Sequence, residues 1–205
     1  MSSKNSAYPG DPQWIEDLRR LHPFKLFIYI SIIGIVILFG FLGFGFAVTN
    51  NLQHNYLPKY FTFSTLCILF SSFTMSKSLQ TYKVDNPKLL NRYLAATFLL
   101  GLLFIAFQMQ GWKELMDKGI FFSGNVTGSY IYLLSGLHLV HFFGGFIFFL
   151  FVYFRAFAAY RDPVKNLLYV TDPYEYMLLD LLGIYWHLMD LLWVALYLLF
   201  LFFSI

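Results

Sequence analysis

Charge is scarce in this chain. Asp, Glu, Lys and Arg make up 12% of its 205 residues, against roughly 25% in a soluble domain, which excludes an ordinary water-soluble fold. Cysteine is nearly absent. Cys67 stands alone, so no disulfide forms within the chain, and neither a Cys-rich zinc site nor a dinuclear copper site on paired thiolates can be built. No Gly-rich phosphate loop, Gly-x-Ser-x-Gly elbow or His-Glu-x-x-His signature occurs, which removes the common nucleotide, serine-hydrolase and metalloprotease readings.

What is present is hydrocarbon. Mean hydropathy is +0.62 and 22% of the residues are aromatic. Uncharged runs cover Leu26–Pro58, Tyr60–Ser76, Tyr93–Trp112 and Gly119–Phe154, and a fifth apolar run covers Met177–Ile205. A spanning helix needs about 20 residues. The chain therefore reads as an all-α integral membrane protein with five transmembrane helices, at about 26–49, 59–79, 91–112, 127–155 and 176–204. Those spans form one domain over 26–205, behind an arm over 1–25. The arm is polar to Pro12, then carries Trp14, Leu18 and Leu21 at helical spacing, which predicts a short amphipathic helix before Pro23. It lacks the apolar core and small-residue cleavage site of a signal peptide.

Lys and Arg are unevenly divided between the connections. Eleven of the 14 fall in the arm, the second-to-third loop and the fourth-to-fifth loop, while Lys59, Lys113 and Lys118 fall on the other side. The positive-inside rule then places the N-terminus in the cytoplasm and the C-terminus outside. The net charge of +3 reports that topology, and nucleic acid is not an expected partner. The turns Asp162-Pro163 and Asp172-Pro173 each offer a carboxylate to start a turn or cap the helix that follows.

The last run holds the chemistry. Asp180, His187 and Asp190 interrupt it, and with Gly183 and Val194 they share one helical stripe. Ionisable groups are costly in lipid, so the stripe faces protein. Its expected mate is the stretch Ser135–Gly145, with His138 and His141 three apart. The interhelical polar seam would then comprise Ser135, His138, His141, Asp180, His187 and Asp190. Two readings fit these residues: a metal or haem site, or hydrogen bonding between packed helices. Trp186, Trp193, Gly144, Gly145, Gln108 and Trp112 read as packing and interface residues. Hydroxyls on the second span (Ser64, Thr65, Ser71, Ser72, Thr74, Ser76) can satisfy themselves on carbonyls a turn back.

The pattern Trp186-His187-x-x-Asp190-x-x-Trp193 resembles the closing helix of the cytochrome c oxidase subunit III family. Ser135-Gly136-Leu-His138-Leu-Val-His141-Phe-Phe-Gly144-Gly145 is similar to that family's penultimate span. Leu57-Pro58 leading to Ser71-Ser72-Phe-Thr74, and Gln108 to Trp112, resemble earlier elements in the same order. The resemblance implies the short, five-helix bacterial form: an accessory subunit of a proton-pumping haem-copper terminal oxidase in the cytoplasmic membrane. It implies catalytic subunits I and II as partners, a place in a larger respiratory assembly, and contact with membrane lipids including bound phospholipid. It implies no catalytic, cofactor or metal residues in this chain, the haems and copper residing in partner subunits. The equivalent subunit of a quinol oxidase or nitric oxide reductase would look much the same. From another class, a haem-b membrane anchor would use His141 and His187 as axial ligands.

Two departures stand out. The span holding Ser31-Ile-Ile-Gly34 lacks the family's carboxylate, and Gly111 stands where a Glu usually precedes the Trp. Neither carboxylate's role can be transferred here.

Overall fold

The structure is a computed structural model and describes residues 23–49, 56–123 and 126–203. The expected amphipathic helix at Gln13–Leu21 lies outside the described residues. Six helices are described: α1 (Pro23–Thr49), α2 (Lys59–Lys83), α3 (Pro87–Asp117), α4 (Val126–Arg161), α5 (Pro163–Thr171) and α6 (Pro173–Phe202). Four of them, α1, α3, α4 and α6, are long and apolar enough to cross a membrane.

Helix α2 has 25 residues, which at 1.5 Å per residue gives about 37 Å, longer than the hydrocarbon layer of about 30 Å. Its hydroxyls lower its hydropathy, not its length. They are mostly satisfied locally: Ser64 and Thr65 donate to Phe61 O, Ser71 to Ile68 O and Ser78 to Met75 O. Such back-bonding lets a hydroxyl-rich helix lie among apolar neighbours without an unpaired donor.

Chain breaks follow local rules. Asp85 takes a left-handed φ of 58°, which Asp tolerates better than most residues, and Asn86 then caps α3 by accepting from Leu89 N at 3.1 Å. Helix α3 ends with Gly119 at φ 74°; Gly119 N bonds Met116 O and Ile120 N bonds Leu115 O, a Schellman ending. The connection after α4 is mostly helical. Asp162 caps the nine-residue α5 through Val164 N, and Asp172 caps α6 through Tyr174 N. A proline occupies the first turn of each helix, where its missing N–H is harmless.

Helices α2 and α3 form an antiparallel hairpin joined at mid-height by the Thr74 and Thr97 hydroxyls, 2.7 Å apart. Helix α6 lies against α2 and α4, and α1 leans on α4 and α6. The core is aromatic, with Phe61, Phe104, Phe142, Phe149, Trp186 and Trp193 fully buried. Of the four apolar spanning-length helices α1 is the least enclosed, burying only Ile28, Ile35, Phe39 and Phe46 along one stripe.

Candidate functional site

Two tryptophans set α6 in place. Trp186 and Trp193, seven residues apart, lie on one helical face. The Trp186 indole donates to Ser71 Oγ at 3.2 Å, and the Trp193 indole to Thr65 Oγ1 at 3.0 Å. Their rings pack against Phe142 and Phe149, and against Phe61 and Phe104. Each thus fills apolar space while its N–H finds a hydroxyl on α2, as buried tryptophans require.

His187 projects from the same helix onto α2. Its Nδ1 lies 2.7 Å from Ser72 Oγ and its Nε2 3.1 Å from Ser76 Oγ. Ser72 and Ser76 are one helical turn apart, so they bracket the imidazole from both sides. Asp190 Oδ2 lies 4.0 Å from Nδ1. The Asp190 carboxyl is buried beside Ser72, and neither of its oxygens has a partner of hydrogen-bonding geometry. Gly183, on the same stripe, faces α2: a Cβ there would meet the Leu79 side chain at 2.6 Å. Asp180 is half-buried and takes no part in this network.

The polar stripe of α6 therefore meets α2, not the Ser135–Gly145 stretch of α4. The residues of α4 have other neighbours. Ser135 accepts from the Trp112 indole at 3.0 Å. His141 Nδ1 lies 2.8 Å from Leu137 O on its own helix, and its ring meets Phe39. His138 has no exposure and no hydrogen bond at either nitrogen; Phe39, Phe104 and Trp193 surround it. Beside His141, α4 is bonded to α6 by Tyr185, whose hydroxyl donates to His141 O at 3.1 Å. Gly145 makes this approach feasible, since a Cβ there would fall 2.4 Å from the Tyr185 ring, whereas Gly144 faces open space. Gln108 donates to Ser64 Oγ at 3.0 Å, pinning α3 to α2.

Gly111 has a packing cause. A Cβ on it would lie 2.4 Å from the Phe61 ring, so the carboxylate expected before Trp112 has no room here. Glu114, one turn nearer the helix end, instead accepts a hydrogen bond from Tyr56. That carboxylate, with a little burial, pushes the Tyr56 phenol up to about 12.

Among the described residues, no three His, Cys, Asp or Glu side chains come close enough to hold a metal ion. Composition alone pointed to the α6 stripe. The partners of His187 were missed because Ser72 and Ser76 looked like ordinary membrane-helix hydroxyls. Their spacing of four residues was the available signal.

These features define a class first: an all-helical membrane protein whose buried polar side chains bond from helix to helix. Its family follows from comparison. The profile described as "Cytochrome c oxidase subunit III" matches residues 44–205, and the chain belongs to the cytochrome c oxidase subunit III family. It is similar to the probable cytochrome c oxidase subunit 3 of Mycobacterium tuberculosis (strain ATCC 25618 / H37Rv), 30% identical over 65% of this chain and 61% of that protein. It is also similar to the cytochrome bo(3) ubiquinol oxidase subunit 3 of Buchnera aphidicola, 25% identical over 89% of this chain and 94% of that protein. The probable quinol oxidase subunit 3 of Staphylococcus aureus (strain USA300) is 27% identical over 84% and 85%. The match to the mycobacterial relatives thus spans 61% of their length.

Proposed function

We propose that this chain is the accessory third subunit of a proton-pumping haem-copper terminal oxidase in a bacterial cytoplasmic membrane. The profile match over residues 44–205 carries the reading, because it includes every helix that contributes to the polar network. In this role the chain packs on the catalytic subunit, in an assembly that also holds the second subunit, and sustains oxygen reduction coupled to proton translocation. It holds no redox centre; haems and copper belong to the partners. Helix α2 serves as the fifth span. The division of Lys and Arg between the connections, eleven of 14 in the arm and two of the loops, supports a cytoplasmic N-terminus and an outside C-terminus.

The side chains of the seam support a packing role. Both nitrogens of His187 are within hydrogen-bonding distance of serine hydroxyls, and Nδ1 of His141 is held by a carbonyl. A haem-b anchor using these two histidines as axial ligands would have to break the His187 contacts. Interhelical bonds of this kind are a common means of fixing membrane-helix register. Of the seam Ser135, His138, His141, Asp180, His187 and Asp190, this reading gives His187 and Asp190 to the α6–α2 interface and Ser135 to the contact of α4 with Trp112; Gln108, Trp112, Trp186, Trp193 and Gly145 are its packing contacts, while Gly144 faces open space. A second reading, the matching subunit of a quinol oxidase, is favoured by the longer alignment to the Buchnera relative.

A proton-relay role is less well supported by the residues. Helix α1 has no carboxylate or histidine, and Ser31 donates to Phe27 O in its own helix. Of the acids on the cytoplasmic side, Asp162 and Asp172 cap helices and Glu175 is tied to Arg155. Removing this subunit from the purified oxidase is therefore expected to leave initial turnover largely intact, with faster inactivation during sustained turnover. An immediate collapse of steady-state rate at neutral pH, with haems intact, would contradict the proposal.

A further inference from the structure

Helix α1 meets the bundle along one stripe, and between it and α4 lies a cavity of about 780 Å³. Gly34 of α1 and Gly144 of α4 open onto it, and a Cβ at either would meet nothing within 4 Å. Phe27, Ile147 and Phe151 of its wall are each at least half exposed, so the cavity is open along one side to whatever surrounds the bundle. It lies deep. No charged residue stands between Lys118 and Arg155, and His141 on the wall is fourteen residues inside Arg155, roughly 21 Å along the helix. That is hydrocarbon depth, away from the headgroups.

Three polar side chains stand on the wall: Ser31 from α1, His141 from α4 and Tyr185 from α6. Each spends its hydrogen inside the protein. Ser31 donates to Phe27 O at 2.9 Å, and Tyr185 to His141 O at 3.1 Å. His141 Nδ1 lies 2.8 Å from Leu137 O. A carbonyl only accepts, so in the neutral ring Nδ1 carries the hydrogen and Nε2 keeps its lone pair. No described residue donates to Nε2. The cavity thus offers a ligand three acceptors and no side-chain donor, within walls that are otherwise apolar. Acceptors facing hydrocarbon are poorly solvated, so the ligand that fits brings O–H hydrogens. At this depth a phospholipid brings only acyl chains, and its esters nearer the surface only accept.

We infer that this cavity is a binding site for a prenylated hydroquinone in its reduced form. The two hydroxyls of a hydroquinone sit at opposite edges of a flat ring. One can donate to Ser31 on the α1 wall while the other donates to His141 or Tyr185 on the far wall. An alcohol with a single hydroxyl leaves that bridge unmade. Phe24, Phe27, Phe148 and Phe151 supply aromatic wall for the ring, and the prenyl tail leaves through the open side into lipid. The same acceptors discriminate between redox forms. A quinone carries two carbonyl oxygens, which only accept, and it would set acceptor against acceptor. The hydroquinone is held here and not oxidised. The site rests on α1 and α4 crossing the membrane and is independent of which donor feeds the oxidase.

The test uses the full chain, with any subunits that co-purify, in phosphatidylcholine nanodiscs under argon and cyanide. The probes are decylubiquinol and decylubiquinone. After gentle detergent extraction and gel filtration, the compound retained per chain is measured by chromatography. The share belonging to the cavity is the difference between the parent and Gly34→Leu, which fills the space without striking a neighbour. That difference should be roughly fivefold larger for decylubiquinol than for decylubiquinone, the worth of one neutral hydrogen bond. His141→Phe, which keeps a ring and removes the acceptor, should lower decylubiquinol retention by a similar factor. No difference between the parent and Gly34→Leu overturns the inference, as does equal cavity retention of the two probes. Decylubiquinol retention that His141→Phe leaves unchanged also overturns it. So does displacement of decylubiquinol by an equal concentration of cholesterol, which would give the cavity to single alcohols. A chain that does not enter nanodiscs refutes the membrane position of α1 and α4, and with it the site.

Discussion

His187, half-buried, and His138, fully buried, are both histidines in membrane helices, yet their surroundings are opposite. His187 lies between two serine hydroxyls on α2, with a carboxyl 4.0 Å away. His138 lies among Phe39, Phe104 and Trp193, with neither nitrogen bonded. The first imidazole joins two helices by hydrogen bonds; the second fills aromatic space. An identical residue type in a single apolar chain thus serves either register or volume, according to what the facing helix offers. The interface between α6 and α4 uses a third device, Gly145 under the Tyr185 ring.

The largest effect is expected where space is tightest. Gly145→Val should force Tyr185 away and break its bond to His141 O, at a cost of about 1–3 kcal/mol, as for other overpacked sites. Unfolding of the detergent-solubilised chain by increasing sodium dodecyl sulfate measures this, with Gly144→Val, which faces open space, as a near-neutral control. Equal losses at the two glycines would show that the close approach is not what holds α4 to α6.

Next comes His187→Leu. It removes two interhelical bonds worth about 0.6 kcal/mol each in membranes, giving a loss of roughly 1 kcal/mol, because Ser72 and Ser76 can turn back to their own carbonyls. The same unfolding measurement should show His187→Gln recovering part of the loss. A His187→Leu chain as stable as the parent would remove the α6–α2 bonds from the account.

The smallest effect sharpens the contrast. His138→Leu replaces an unbonded buried imidazole with a hydrocarbon of similar size, and stability should change little or rise, since the desolvation of an unpartnered polar group is lifted. A loss larger than that of His187→Leu would mean that His138 has a bonded partner after all.

Much of this arrangement was legible in the sequence. Each Asp-Pro step offered a turn or a helix cap, and both Asp side chains cap the helix that follows. The ionisable stripe of α6 was expected to face Ser135–Gly145 of α4, whereas Gly183 and His187 meet α2. What sequence could not supply was the facing helix. Periodicity fixes which side of a helix is polar, but rotation and register between helices depend on contacts distant in sequence, such as Ser72 to His187 across 115 residues. Helix α5 was hidden for a different reason: nine residues between two prolines resemble a loop. Gly111 looked like a missing carboxylate until Phe61 was seen against it.

The central claim is that His187 joins α6 to α2 through two serine hydroxyls and that neither it nor His141 ligates a haem. Its most direct test is the visible absorption spectrum of this chain. It would be purified through a terminal tag from its native membrane in mild detergent and then separated from co-purifying subunits. The account predicts haem absorption in the intact complex and none in the separated chain. A Soret band that stays with the separated chain, and is lost in His141→Ala or His187→Ala, would contradict it.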